Sequence, residues 1–316
     1  MAQYLRLALC LTPCLTKTRE PSSKPSMCLI VFDWRPAARA GETARLTLAA
    51  NRDEFFDRAA TPLHWWPDAP LVLAGRDLQG GGTWLGLHRD GRFAALTNYR
   101  APTEKQLDGP SRGLLVANFL RGPSITPLAY LEQLAQSIEV EPASQQHGKD
   151  GKPGAMRGFN LLTGNLADGT LAYYGNRTRL PPRLLPAGCY GLSNALLDTD
   201  WPKVRAKKAA LQEILEQGPS GSNQLEALLA MLHDTREAPD AALPDTGLPL
   251  ARERALSAAY IVSPGYGTRC TTALQLSAAG HIEIVERGDS QADGSRIASG
   301  GYISRYRFQL ETPQQT

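Results

Sequence analysis

The sequence predicts an antiparallel α+β protein built in layers. Three observations carry this: short β-branched and aromatic runs separated by Gly, Asp and Pro, two Asp-Gly turns set between such runs, and strands and helices that come in blocks rather than in alternation.

Taken in order, strand-like runs cover 28–34, 45–50, 71–75, 83–88 and 92–98. The last two are joined by Arg89-Asp90-Gly91, a strong hairpin signal. A helical block follows. Leu114, Leu115, Asn118 and Phe119 repeat at helical spacing after Ser111, and Leu128, Leu131, Leu134 and Ile138 do so after Pro127. The polar, Gly-containing stretch 141–157 reads as a long loop or lid. Strands resume at 159–163 and 171–174 around Asp168-Gly169. Asp200, with Pro202 in the first turn, predicts a capped helix to about Gln217, and a further helix covers 224–233. After a Pro-rich loop at 239–249, strands are expected at 260–262, 271–276, 281–286 and 302–309.

The chain has 316 residues, 42% hydrophobic and 21% charged, enough to bury a substantial core and too apolar for general disorder. We read 27–316 as one domain and 1–26 as a dispensable extension. The latter is a misassigned start ahead of Met27 or, alternatively, a signal segment, although Arg6 and Pro13 interrupt its apolar run. The net charge of +3 is scattered, which argues against a nucleic-acid partner, and no run is long and apolar enough to span a membrane as a helix. Five widely spaced cysteines and five isolated histidines match neither a disulfide framework nor a metal site, so a reducing, cytoplasmic setting and no metal are expected.

Two places stand out chemically. If Met27 is the start, its removal leaves Cys28 with a free α-amino group, which can serve as base for its own thiol. A buried strand cysteine is the alternative. The segment Leu48-Ala49-Ala50-Asn51-Arg52-Asp53-Glu54 leaves an apolar strand with four polar groups in a row, as functional loops or plain solvated turns do. Gly80-Gly81-Gly82 fails both phosphate-loop spacings and reads as room for a close backbone approach, with Trp84 walling a pocket.

Met27-Cys28, the Asn51-Arg52-Asp53-Glu54 segment, Gly81-Gly82-Thr83-Trp84-Leu85-Gly86, Thr97-Asn98-Tyr99-Arg100, Gly191-Leu192-Ser193-Asn194 and Trp201-Pro202-Lys203 together resemble the NRDE family, also called the transport-and-Golgi-organisation protein 2 family. Through it the chain resembles, more distantly, N-terminal-nucleophile hydrolases of the bile-salt hydrolase and penicillin V acylase type. That resemblance implies a four-layer αββα sandwich. It implies Cys28 as nucleophile, Asp53 holding the new amino group, Asn98 and Asn194 at the oxyanion, and Arg269 near the thiol. Asn51, Arg52, Trp84 and Tyr99 are the expected substrate contacts. The sequence departs from those hydrolases at one step. Their arginine just before the asparagine is Ala50 here, and Arg52, one residue after Asn51, is not an obvious replacement because successive strand side chains face opposite ways.

Two functions are therefore expected. The first is a cofactor-free cysteine hydrolase of a linear amide, or a thioester, of a small acylated metabolite. The second, also implied by the resemblance, is a non-catalytic protein that binds and traffics haem, acyl-CoA or lipid on the same fold.

Overall fold

The computed structural model describes residues 27–36, 45–102, 110–139, 156–219, 221–288 and 301–310. The 1–26 extension and nearly all of the expected 141–157 loop lie outside the described residues.

Two seven-stranded antiparallel sheets face each other. The first runs β10 (Gly188–Leu192), β1 (Met27–Arg35), β2 (Arg45–Phe55), β12 (Tyr266–Leu276), β13 (His281–Gly288) and β14 (Tyr302–Gln309), with the short β11 (Val262–Ser263) beside β12. The second runs in chain order through β3 (Ala60–Trp66), β4 (Ala69–Asp77), β5 (Leu85–His88), β6 (Arg92–Asn98), β7 (Phe159–Asn165), β8 (Thr170–Gly175) and β9 (Arg183–Leu184). Both Asp-Gly turns form hairpins, β5–β6 and β7–β8, and Gly91 takes the left-handed φ of +97° that the first one needs.

Burial follows strand periodicity. Ile30, Phe32 and Trp34 point between the sheets, where they meet Leu73, Leu87, Phe93 and Leu162. Leu29 and Val31 point the other way, under α3 (Pro202–Gln217) and α4 (Ser222–Leu232). The outer face of the second sheet is covered by α1 (Gly113–Arg121) and α2 (Pro127–Glu139) through Val116, Phe119, Leu120 and Leu131. The result is the four-layer αββα sandwich, with β1 covered on both faces and accordingly apolar along most of its length. Each fully buried Phe or Leu contributes about 1.5–3 kcal/mol to holding the layers together.

Several elements differ from expectation. β3, β9, β10 and the helix α5 (Leu250–Ser257) carry weak local signals and are held by their neighbours. β12 begins at Tyr266 rather than at 271, because a register shift between Thr268 and Cys270 lets the strand continue past Arg269. Asp200 does not cap α3. The N-cap position is Trp201, without a side-chain cap, and Asp200 pairs with Arg205 at 2.6 Å. The close backbone approach at Gly82 is to the start of α1: a Cβ there would lie 2.3 Å from the carbonyl carbon of Gly113.

Candidate active site

Cys28 is the second residue of β1 and faces the gap between the sheets, at the edge of a polar cavity of about 260 Å³. Strand register decides what stands beside it. Cys28 lies directly opposite Arg52 on β2, and Arg52 lies opposite Cys270 on β12. Directly opposed residues of an antiparallel pair share a face, so the row Cys28, Arg52, Cys270 crosses the sheet on its inner side. Arg52 is thus on the same inner face as Cys28, and on that of Ala50 two residues before it, so strand alternation does not set it apart from Ala50 as its sequence position suggested. Its guanidinium carbon sits 4.3 Å from the centroid of the Trp84 ring, and both residues line the cavity.

The same parity sends Asn51 and Asp53 to the helix side. Asn51, expected among the substrate contacts, is not brought to the cavity. Its amide donates to the carbonyls of Leu232 (3.1 Å) and Ala259 (2.7 Å), and its oxygen accepts from Thr271 Oγ1 at 2.7 Å. Asp53 is fully buried, paired in register with Met27, and accepts from Thr268 Oγ1 at 2.5 Å. Burial pushes its carboxyl up to about 6, against the pull of the Lys203 ammonium. Lys203 comes from α3, donates to the Leu256 carbonyl at 3.0 Å, and is drawn down to about 8 by burial.

The backbone nitrogen of Cys28 is held from the β10 side. It donates to Asn194 Oδ1 at 3.3 Å, while Asn194 Nδ2 donates to the Asn98 carbonyl at 2.7 Å. Ser193 Oγ donates to the Cys28 carbonyl at 2.8 Å. Both ends of the Asn194 amide therefore fix the strand carrying the thiol, whereas Asn98 itself lines the cavity. Arg100 completes the brace. Its N–H donates to the Asn194 carbonyl at 2.6 Å, and its buried guanidinium pairs with Glu253 on α5 and stacks on Trp201. The N–H of Met27 donates to Tyr266 Oη at 2.7 Å, and the Met27 side chain is buried against Leu256, Ile261 and Tyr266.

Burial, and then the Asp53 charge, push the Cys28 thiol up to about 12, so with Met27 attached it is protonated at neutral pH. Arg269, expected beside the thiol, is not among the cavity-lining residues. It donates to the carbonyls of Phe55 (2.7 Å) and Arg58 (2.8 Å) and so shapes the turn after β2. Tyr99 is also away from the cavity lining, its N–H donating to the Gly158 carbonyl at 3.0 Å. Trp65 and Trp66 pack into the cores on the two faces of the second sheet.

Apart from Glu54 and Thr83, which stand in motifs already noted, the rest of the cavity comes mostly from residues that the sequence reading did not single out. Glu54, Arg58 and Asp77 form one wall, with Arg58 Nη2 2.6 Å from Asp77 and its Nε 3.7 Å from Glu54. Ser111, Arg112, Gly113 and Arg157 form another. The density of charge over 52–58 was the available signal for the first wall. The second had none, because 111–113 and 157 are joined to the site only by folding. Among the described residues no three His, Cys, Asp or Glu side chains cluster as a metal site, and no helix is long and apolar enough to cross a membrane.

The family model for Transport and Golgi organisation 2 matches residues 27–290. The transport and Golgi organization protein 2 homolog of Bos taurus is 34% identical over 281 residues, covering 85% of this chain and 96% of that protein. The human homolog is 34% identical over 293 residues, covering 87% and 98% respectively. Among solved structures, a Caenorhabditis elegans N-acylethanolamine-hydrolyzing acid amidase ortholog matches with a TM-score of 0.39 at 7% identity, over 78% of this chain and 92% of that one. A conjugated bile acid hydrolase variant from Clostridium perfringens matches with a TM-score of 0.27 at 11% identity, over 90% and 89%.

Proposed function

The chain belongs to the Transport and Golgi organisation 2 family, and from that premise we propose that it is a cysteine hydrolase, cleaving a linear amide or a thioester of a small acylated metabolite at the Cys28 thiol. The observation that carries the reading is the position of Cys28. Its side chain borders the cavity, its backbone nitrogen is held by Asn194, and the buried Asp53 pairs in register with Met27, the residue just before it.

The mechanism requires a chain whose residues up to Met27 have been removed. The α-amino group of Cys28 then takes the thiol proton as Sγ attacks the carbonyl carbon. The carbon–nitrogen bond breaks, and the amine leaves with that proton. Water next attacks the thioester, its proton passing through the same amino group, and the acid departs as the thiol is restored. Asp53 stabilises the α-ammonium of each half-reaction by opposite charge. The oxyanion faces the Asn98 side of the cavity, with Asn194 acting as a positioning residue for the strand. No metal or cofactor is required. The test is turnover of an amide and thioester panel by the chain beginning at Cys28, against Cys28→Ala. Full activity in Cys28→Ala would overturn the reading.

Ligand handling without turnover is the second reading, favoured by the protonated state of the thiol while Met27 remains attached. Haem fits this cavity poorly. Among the described residues its lining is largely polar and includes no histidine, and its volume of about 260 Å³ is below the roughly 300–1,000 Å³ usual for drug-sized ligands.

A further inference from the structure

Arg52 is an unusual cation. Its residue is 6% exposed, yet among the described residues its guanidinium makes no hydrogen bond or ion pair: it stacks on Trp84, borders the cavity next to Cys28, and pulls only through space on Asp53, on Asp77 and on Glu286, whose oxygens accept from the Leu63 N–H and from Tyr302 Oη. A buried guanidinium normally holds a carboxylate in its planar fork. The two carboxylates of the cavity are committed elsewhere. Asp77 accepts from Arg58 Nε and Nη2 and from the N–H groups of Gln79 and Gly80, and Glu54 accepts from the Phe55 N–H and faces Arg58.

Two further guanidinium groups face the same space. Arg112 donates to the Gly158 carbonyl at 2.7 Å, and Arg157 has no ion-pair partner among the described residues. Burial, and then its neighbour Arg157, draw Arg112 down to about 9, so an anion placed there would relieve both. The start of α1 adds its dipole in the same direction. Ser111, Arg112 and Gly113 line the cavity, the helix has no side-chain cap at its N-terminus, and no acidic residue stands in its first turn. Arg52, Arg112, Arg157 and the helix end thus converge on one cavity.

We infer that the cavity contains a carboxylate-binding subsite centred on Arg52, and that the compound acted on at Cys28 is a small acyl molecule carrying a carboxylate close to its reacting carbonyl. The second half rests on the hydrolase reading; the subsite itself does not need turnover. Because Cys28 and Arg52 are cross-strand neighbours, a carboxylate in the fork leaves only a short reach to the thiol.

The test is calorimetric titration of the Cys28→Ala chain, which cannot turn over, with succinate, with its neutral diamide and with inorganic phosphate. Succinate is expected to saturate at one equivalent and to bind at least tenfold more tightly than either of the others. Arg52→Met, added to that chain, is expected to weaken succinate about 30-fold or more, and Arg52→Lys less. Equal binding of succinate and its diamide overturns the subsite, as does a folded Arg52→Met protein with parental affinity. Phosphate binding as tightly as succinate overturns the carboxylate assignment. The succinate and diamide comparison needs no Arg52 variant, so it decides the question even if Arg52→Met does not fold. Succinate binding with no amide or thioester turnover by the Cys28 chain would remove the hydrolase reading and leave the subsite standing.

Discussion

Freeing the α-amino group of Cys28 should change the reactivity of its thiol by a calculable amount. With Met27 attached, burial and Asp53 move the thiol from its ordinary 9.0 to about 12. At pH 7.5 that lowers the thiolate fraction about a thousandfold, from roughly 3% to roughly 0.003%. A thiolate of higher pKa is also the better nucleophile, and this returns about thirtyfold. The uncleaved chain should therefore alkylate at Cys28 about thirtyfold more slowly than an ordinary thiol at pH 7.5, with a rate still rising at pH 10. In the chain that begins at Cys28, an α-ammonium replaces the peptide nitrogen and favours the thiolate. Its rate should be at least about thirtyfold above that of the uncleaved form and should inflect below pH 9. The assay is the rate of iodoacetamide modification from pH 6 to 10, followed by peptide mass mapping at Cys28. Identical profiles in the two chains, or an uncleaved chain that plateaus below pH 9, would refute the reasoning.

Three further outcomes follow from the geometry. The folded-state value of Asp53, about 6, lies above the ordinary 3.8, so the folded protein binds this proton more tightly and gains stability as pH falls through 6 towards 3.8. Between pH 7.5 and 4.5 this amounts to about 2 kcal/mol, and Asp53→Asn should remove it in urea unfolding of the uncleaved chain. Gly82→Ala forces a Cβ into the backbone of Gly113 and should cost about 1–3 kcal/mol, while weakening succinate binding through the displaced start of α1. Asn51→Ala and Asn194→Ala should separate. The first loses three buried hydrogen bonds and should lower stability by about 1–3 kcal/mol with turnover unchanged per folded molecule, whereas the second should lower kcat because it releases the Cys28 strand.

The layered architecture was legible because its signals are local. Asp90-Gly91 and Asp168-Gly169 each demand a tight turn, and the Leu-rich helices declare their inward faces by spacing. β9 and β10 were not legible, because Gly188–Leu192 becomes a strand only by pairing with β1. The same limit applied to the site. Cys28, Asn98, Arg52 and Trp84 were marked out by the sequence and do meet at one cavity. Arg52 was set aside although it lies two residues beyond Ala50 and so shares its face, and parity along one strand does not say which face looks at Cys28. Only the β1–β2 register settles that. Asn51 looked equivalent to its neighbours in sequence and falls on the far side for the same reason. Arg112 and Arg157 reach the cavity from the start of α1 and the approach to β7, contacts of long sequence separation that no local pattern encodes.

The central claim is that Cys28 becomes an N-terminal nucleophile, and intact-mass spectrometry addresses it most directly. Protein expressed from the full 316-residue frame would be weighed, then mixed with the amide and thioester panel and weighed again. The account predicts a chain that begins at Cys28 and a transient acyl adduct that maps to that residue and is absent in Cys28→Ala. A chain that retains Met27 and never acquires an adduct at Cys28 would contradict it.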